Sequence, residues 1–292
     1  MDTTSTKERK LLALAALGVF VISLGAYLHT LGHGFVYDDR AQVLENPWIR
    51  DPAYIREILT LPSWAFVTKE GNFYRPVMHL VYMAEYHVFG LSPWGYHLVN
   101  VVLHSANALL VFVLARLVLT GGAGPVKPGA GHPVLLPFLA GLLFALHPVN
   151  TEVANWVAAI PELTMTLSVV SSFCLYVIAS RSEGRAVPLY AASLALYFVA
   201  LLSKETGIVL VLLIVAWEVV RGRGIIGRWR SLAGYPVVAA VYMAVRMKVL
   251  SGAGLDRGAG PELYENILNV PPLLARYAGK LMVPVDLKVM YP

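Results

Sequence analysis

The sequence predicts an all-α polytopic membrane protein, and three observations carry that prediction. Hydrophobic residues make up 57% of the chain and charged residues only 14%, against about 25% charged in an ordinary soluble domain. The mean hydropathy is +0.63. The apolar residues are also gathered into long runs, of which Leu11 to Leu31 is the first.

At roughly 20 residues per bilayer crossing, Leu11 to Leu31 is long enough to span, so it reads as a retained anchor and not as a cleavable signal peptide. Further apolar segments fall at about Tyr96 to Leu119, Val134 to Leu146, Leu163 to Ser180, Val187 to Leu202, Gly207 to Val220, Leu232 to Leu250 and Val270 to Val283. Lys7, Arg9 and Lys10 precede the first run, which puts the N-terminus in the cytoplasm and the following stretch outside. Counted alternately, the inner turns hold Arg116 and Lys127, then Arg181 and Arg185, then Arg221, Arg223, Arg228 and Arg230. Membrane orientation thus accounts for most of the +5 net charge. No basic, aromatic-interleaved patch points to nucleic acid. The single cysteine, Cys174, sits inside an apolar run, so it forms no intramolecular disulfide and reads as a buried thiol.

The polar residues gather on the outer side of this map. Tyr37-Asp38-Asp39 follows directly on the first span, and adjacent carboxylates beside lipid are costly to desolvate unless they do chemistry or bind a charged group. They open a long external stretch, Gly32 to Gly95, expected to hold surface helices of its own. Asp51 is placed to cap a helix with Pro52 at its first position, leaving Tyr54, Ile55, Ile58 and Leu59 as an apolar face and Trp64 and Phe66 at interfacial depth. Tyr74-Arg75-Pro76 is extended, because the proline disfavours helical geometry at Arg75, and leaves a free guanidinium. In LHPVNTEVANW, Pro148 ends one helix, Asn150 or Thr151 can cap the next, and Glu152 lies in its first turn. Leu202-Ser203-Lys204-Glu205 puts a charged pair between two apolar runs.

His97, Asn100, His104 and Asn107 recur at helical spacing on the second span, so they share one face. At 1.5 Å per residue the stripe runs about 15 Å into the bilayer. For Asn100, His104 and Asn107 it reads as interhelical hydrogen bonding. His97 lies nearest the outer surface.

Taken together and in order, FVYDD with NP following, YRP, YHLVNVVLHSANALL, LFALHPVNTEVANWV, LLSKETG and RYAGKLMVPVDL resemble the membrane part of the transmembrane and tetratricopeptide-repeat O-mannosyltransferases and their bacterial relatives, within the GT-C superfamily. The resemblance runs from about Gly32 to the last residue. It implies a GT-C type helical bundle with a long first external loop: residues 1–31 as cytoplasmic tail and first transmembrane helix, 32–95 as the loop bearing the catalytic acids, and 96–292 as the remaining core. It also implies an integral multi-pass protein of the bacterial inner membrane with its site on the periplasmic or extracellular face.

The activity implied is that of a hexosyltransferase. A sugar, mannose by resemblance, passes from a polyprenyl-phosphate donor to a hydroxyl of a protein or glycan acceptor, with inversion. Such a reaction needs a carboxylate to take the acceptor proton and groups to stabilise the leaving phosphate. Asp38 matches the family's catalytic position, and Asp39 is assigned to acceptor positioning or to orienting the site. Arg75, Lys204 and His97 are placed around the donor phosphate, with Arg75 read alternatively as snorkelling to headgroups and Lys204 as neutralising Glu205 or Glu152. Glu152, His147, Glu205 and Tyr74 form the acceptor side or support it. His147 and Glu152 alone do not make a metal site, and no metal or other cofactor is expected; the lipid-linked sugar is a substrate.

No helical repeat of 34 residues occurs in the sequence, so the C-terminal helices and repeat domain of the resembled family are expected to be missing or supplied by a separate tetratricopeptide-repeat partner. Two other functions stay open: a polytopic transporter or flippase of lipid-linked sugar, and an inactive lipid-binding relative. A transporter of the inverted-repeat type places its site near the midplane and carries a matching second half. The charged residues here gather on one side, and no internal repeat is seen.

Overall fold

The computed structural model describes residues 3–67, 72–119, 133–181, 186–222, 229–251, 263–285 and 287. Lys127, Arg185, Arg223 and Arg228, named above as inner-turn cations, lie outside these residues. The described chain is helical, with no strand among the described residues. In chain order the α-helices are α1 (Thr3–Tyr27), α2 (Ile55–Thr60), α3 (Pro76–Phe89), α4 (Pro93–Leu119), α5 (Leu135–Leu146), α6 (Thr151–Asn155), α7 (Ile160–Ala179), α8 (Ala186–Ser203), α9 (Val209–Val220), α10 (Trp229–Leu232), α11 (Gly234–Ser251) and α12 (Leu263–Met282).

Among the described residues, four helical stretches are long and apolar enough to cross a bilayer: Thr6–Gly32, Pro93–Leu119, Val157–Ala179 and Ala186–Ser203. A fifth crossing forms if α5 and the segment Pro148–Asn155, bent by 48° at Pro148, are one broken span. The chain is an all-α polytopic membrane protein. The last three apolar segments of the sequence differ from that pattern. α9 has 12 residues, about 18 Å at 1.5 Å per residue against a core of about 30 Å. α11 carries Arg246 and Lys248. α12 has Pro271 and Pro272 in its interior.

α4 is the central helix, packed against α1, α5 and α7, while α7 and α8 form the most extensive pair and α11 lies on α8. Small residues let these helices approach. A Cβ at Gly141 would sit 3.0 Å from Val19 and 3.2 Å from the Ala108 carbonyl, so α1, α4 and α5 meet there closely. Between α7 and α8, Ser172 and Ser193 exchange hydroxyl-to-carbonyl hydrogen bonds at 2.7 Å each, and the Ser193 hydroxyl meets Tyr235 at 2.6 Å. Cys174 is buried in α7.

The polar stripe on α4 is interhelical glue, as its spacing predicts. Asn100 donates to the Trp156 carbonyl at 2.6 Å, His104 Nε2 meets the Ala145 carbonyl at 3.0 Å, and Asn107 donates to the Leu163 carbonyl at 3.1 Å.

The stretch between the first two spans is not a loop lying on the surface. It contains α3 as well as short helical turns, and it has its own core, in which Val43, Trp48, Ile49, Ile58, Met78 and Tyr82 pack with Val157, Ile160 and Leu163. Ile58 is therefore inward, while Tyr54, Ile55 and Leu59 are exposed. The Asp51 cap forms, its carboxylate accepting from Ala53 N at 2.8 Å with Pro52 at the first helical position. Asn46 does the same for Pro47–Ile49, accepting from Trp48 N at 2.9 Å and donating to the Gln42 carbonyl at 3.0 Å. His79 then ties two turns together: its Nε2 meets the Ser63 carbonyl at 2.9 Å and its Nδ1 meets Asn46 at 3.2 Å. Gly90, with φ of 60°, ends α3 in a conformation that glycine adopts without a Cβ penalty and turns the chain into α4.

Candidate active site

α1 ends in a 3-10 turn, Leu28–Gly32, and the backbone then runs without helix to Val36. Tyr37 has φ of 48°, a left-handed conformation rare for a bulky residue and more frequent at functional sites than elsewhere. Past it, Asp38 and Asp39 open a helical turn that continues as a π-helix over Arg40–Leu44. The acid pair is thus helical and not extended. The two side chains still diverge, because successive residues of a helix point about 100° apart.

Their environments are opposite. Asp39 is fully buried, and its carboxylate accepts from Val36 N at 2.9 Å and from Ala158 N at 2.8 Å. Burial pushes its pKa up to about 6, more than those two hydrogen bonds draw it down. Asp38 is exposed. Asp39 thus clips the acid segment to the turn Val157–Ala159 that starts α7, and Asp38 is left facing out.

Beside this segment lies a cavity of about 740 Å³, lined on one side by His33, Gly34, Val36 and Tyr37. His97 closes it from α4, and Pro148, Val149, Glu152 and Trp156 line it from the α5–α6 turn. Tyr277, Lys280 and Leu287 complete the wall. The lining is mainly apolar. His97 is 2% exposed and neither ring nitrogen makes a hydrogen bond of acceptable geometry, though the backbones of Gly34 and Asn155 come near. Its ring meets His33 edge-on, with centroids 6.0 Å apart.

His147 supports the cavity from behind. Its Nδ1 accepts from Val149 N at 3.2 Å, so that His147, and not Asn150 or Thr151, caps the turn Pro148–Asn150. The Nε2 then carries the proton and meets the Leu281 carbonyl of α12 at 3.1 Å. Both ring nitrogens are engaged. Asn150 instead reaches back to the Phe144 carbonyl at 2.7 Å.

Arg75 and Lys204, the cations that the sequence offers to a phosphate, hold carboxylates instead and do not line the cavity. Arg75 grips Glu205 with two hydrogen bonds, Nε to Oε2 at 3.1 Å and Nη2 to Oε1 at 2.7 Å. Burial works against the charge on Glu205, but the Arg75 hydrogen bonds and charge outweigh it and hold the carboxyl below its ordinary range. The guanidinium also lies over Phe73, 4.3 Å from the ring centre. Lys204 pairs with Glu162 of α7, and neither Glu205 nor Glu152 is its partner. It remains within electrostatic range of Glu152. Tyr74 is buried, donates to the Leu59 carbonyl at 2.9 Å and stacks on Tyr242. The structure therefore brings His97 and Glu152 to the cavity, leaves Asp38 and Asp39 off its lining but directly after Tyr37, which is part of it, and sets Tyr74, Arg75, Lys204 and Glu205 apart as braces. His33, Tyr37, Trp156, Tyr277 and Lys280 join the wall without having been singled out in the sequence.

Sequence comparison supplies relatives for this arrangement. Protein O-mannosyl-transferase Tmtc1 of Drosophila melanogaster is 31% identical over 216 residues, covering 72% of this chain and 23% of that protein. Tmtc2 of the same fly is 32% identical over 210 residues, 67% of this chain and 20% of the relative. The chain is a relative of the protein O-mannosyl-transferases. With F38B6.6 of Caenorhabditis elegans, also a protein O-mannosyl-transferase by name, the similarity extends over 96% of this chain and 38% of the relative, at 24% identity. The chain spans about a fifth to two fifths of the length of these relatives. No family model matches the chain, and no solved structure matches it.

Proposed function

We propose that this chain carries the donor and base chemistry of a membrane mannosyltransferase, moving mannose from a polyprenyl-phosphate donor to a hydroxyl of a protein acceptor. The observation that supports the reading is an exposed carboxylate, Asp38, one residue beyond Tyr37 of the lining of a largely apolar cavity, in a relative of proteins named O-mannosyl-transferases. A cavity walled by Val36, Tyr37, Val149, Trp156 and Tyr277 suits the first isoprene units of a lipid donor. Asp38, exposed and next in sequence to the lining residue Tyr37, suits a base.

In the reaction, the acceptor oxygen attacks the anomeric carbon from the face opposite the phosphate. The bond from that carbon to the phosphate oxygen breaks, and polyprenyl phosphate leaves with the electron pair. Asp38 takes the hydroxyl proton as the new glycosidic bond forms, and the configuration inverts. Asp39 acts through Asp38: its two backbone hydrogen bonds fix the turn from which Asp38 projects. The reaction read this way calls for no metal. It takes place on the non-cytoplasmic face, periplasmic if the host is a bacterium, because Lys7, Arg9 and Lys10 sit in the first turns of α1, ahead of its apolar run. Acceptor recognition belongs in part to a tetratricopeptide-repeat partner or domain.

The test is incubation of the chain, in lipid, with radiolabelled polyprenyl-phosphate mannose and a Ser/Thr-containing peptide. Label moving to the peptide in an alkali-labile, O-linked form supports the reading. Label retained on the lipid, but carried across the bilayer, would make the protein a flippase.

A further inference from the structure

We propose that Tyr37 is a sugar-positioning residue: its ring, on the wall of the cavity beside Asp38, packs against the hydrocarbon face of the donor's pyranose. The inference rests on the lipid-linked-sugar reading above and names the residue that tells a sugar-bearing lipid from a bare lipid phosphate. Tyr37 lines the cavity, and Asp38 is the next residue, so their Cα atoms are about 3.8 Å apart. A base must come within hydrogen-bond reach of the acceptor oxygen as that oxygen attacks the anomeric carbon. What lies nearest Tyr37 is then the hexose, and the isoprenoid, beyond the phosphate, falls to the rest of the wall.

Tyr37 sits at φ of 48°, in the left-handed region that a bulky L-residue enters only at a conformational cost. Such strain persists where the surrounding structure over-determines it, and it clusters at ligand-binding sites. Asp39 N donates to the Val36 carbonyl at 3.0 Å and Arg40 N to the Tyr37 carbonyl at 3.2 Å, closing the turn. The Asp39 carboxylate then pins it to Val36 N and Ala158 N. Glycine or asparagine would occupy this position with less strain. Tyrosine stands there instead, 68% exposed, and among the described residues its side chain has no hydrogen-bond or ring partner. A residue that strains the backbone and adds nothing to the packing is placed for what its ring meets outside the fold.

The same clip sets what stands beside the ring. Because Asp39 joins Val36 N to Ala158 N, the stretches bearing Tyr37 and Trp156 run side by side, and both residues line the cavity. The Trp156 side chain approaches the same carboxylate. Trp156 N donates to the Glu152 carbonyl at 2.9 Å, and Glu152, itself exposed, lines the cavity too. A pyranose has C–H bonds on one face and hydroxyls round its edge, so a site for it combines a flat amphipathic ring with acceptors for the hydroxyls. Tyrosine supplies a rigid amphipathic surface with only two side-chain angles to fix, and a carboxylate accepts charge-assisted hydrogen bonds. An isoprenoid has no hydroxyl to offer Glu152 and would use the apolar part alone.

The experiment is equilibrium binding of radiolabelled undecaprenyl-phosphate mannose, and separately of undecaprenyl phosphate, to the full chain in detergent micelles. Tyr37→Gly and Tyr37→Asn tolerate the left-handed backbone and remove the ring, while Tyr37→Phe keeps the ring and removes the hydroxyl. The parent should prefer the mannosylated lipid. In Tyr37→Gly and Tyr37→Asn the Kd for that lipid should rise about tenfold, the scale of one lost aromatic contact, with the Kd for undecaprenyl phosphate unchanged. Tyr37→Phe should keep most of the preference, and both ring-less variants should melt no lower than the parent. Parent-like affinity for the mannosylated lipid in both ring-less variants would overturn the proposal. So would equal weakening toward the two lipids, which would make Tyr37 an isoprenoid contact or an interfacial anchor. Melting of both well below the parent would make the ring part of the fold and overturn it as well. The readout involves no sugar transfer, so selective loss in a chain that transfers no mannose would sink the transferase reading and leave the sugar contact standing. Transfer by the parent, with donor affinity unaltered in both ring-less variants, would do the reverse.

Discussion

The Asp39 carboxylate accepts a hydrogen bond from Ala158 N at 2.8 Å, joining two points of the chain 119 residues apart. That contact locks the turn after the first span to the start of α7, with Val36 N taking the other carboxylate oxygen at 2.9 Å. It divides the labour of the acid pair: one carboxylate holds the segment, and the other is presented to solvent.

Asp39→Ala should therefore behave as a folding variant. Two backbone donors lose their acceptor, at about 1–3 kcal/mol for each left unsatisfied, and the melting temperature in detergent should fall accordingly. A variant as stable as the parent would contradict the clip. The pH dependence has a defined sign. The folded pKa, about 6, is above the ordinary 3.8, so the folded chain binds the proton more tightly than the unfolded one. This contribution to stability is full below pH 3.8 and is lost as pH rises through about 6. Plotted against pH, the parent's stability minus that of Asp39→Asn should decline across that window.

Arg75 and Glu205 form the second long-range brace, 130 residues apart in sequence. Bidentate guanidinium–carboxylate pairs are among the stronger charge-assisted contacts, and here the side chains are 17% and 28% exposed. A double-mutant cycle of Arg75→Ala and Glu205→Ala should give a coupling of about 1–2 kcal/mol, with Arg75→Lys a poor substitute. Because the Glu205 pKa is depressed, its contribution is present above its ordinary pKa of 4.5 and is lost as pH falls through the lower folded value. An additive cycle would show that the pair contributes nothing to stability.

Features with local causes were legible in the sequence. The Asp51–Pro52 cap and the α4 stripe follow from spacing alone, and the stripe's partners are backbone carbonyls of Trp156, Ala145 and Leu163, which any neighbouring helix can supply. Pairings set by tertiary packing were not. Nothing in YRP or SKETG states that Arg75 meets Glu205 while Lys204 turns to Glu162, so Arg75 reads as free and Lys204 as either a phosphate contact or the partner of a different acid. The α3 helix went unrecognised because its core includes His79 and Glu85, polar residues that obscure the apolar pattern. Lys280 lies within a motif that the resemblance uses, but only the fold brings α12 to the cavity.

The orientation in the membrane is open to direct labelling. Cys174 is buried, so introduced cysteines can be read against a quiet background. A cysteine replacing the exposed Asp51 should react with impermeant maleimide added from outside, and one replacing Arg221 should react only after permeabilisation. The opposite pattern would invert the map and put the candidate site in the cytoplasm.

The most direct measurement is mannosyl transfer from polyprenyl-phosphate mannose to peptide by Asp38→Asn, compared with the parent chain at matched protein stability. Asparagine keeps the size and hydrogen bonding of aspartate and removes its basicity. Asp38 is exposed and holds no part of the fold, so the variant should melt like the parent and bind donor equally well. Transfer should fall by about 10²- to 10⁴-fold, the range for loss of a general base. An Asp38→Asn chain transferring mannose at the parent's rate would remove Asp38 as the base and contradict the account.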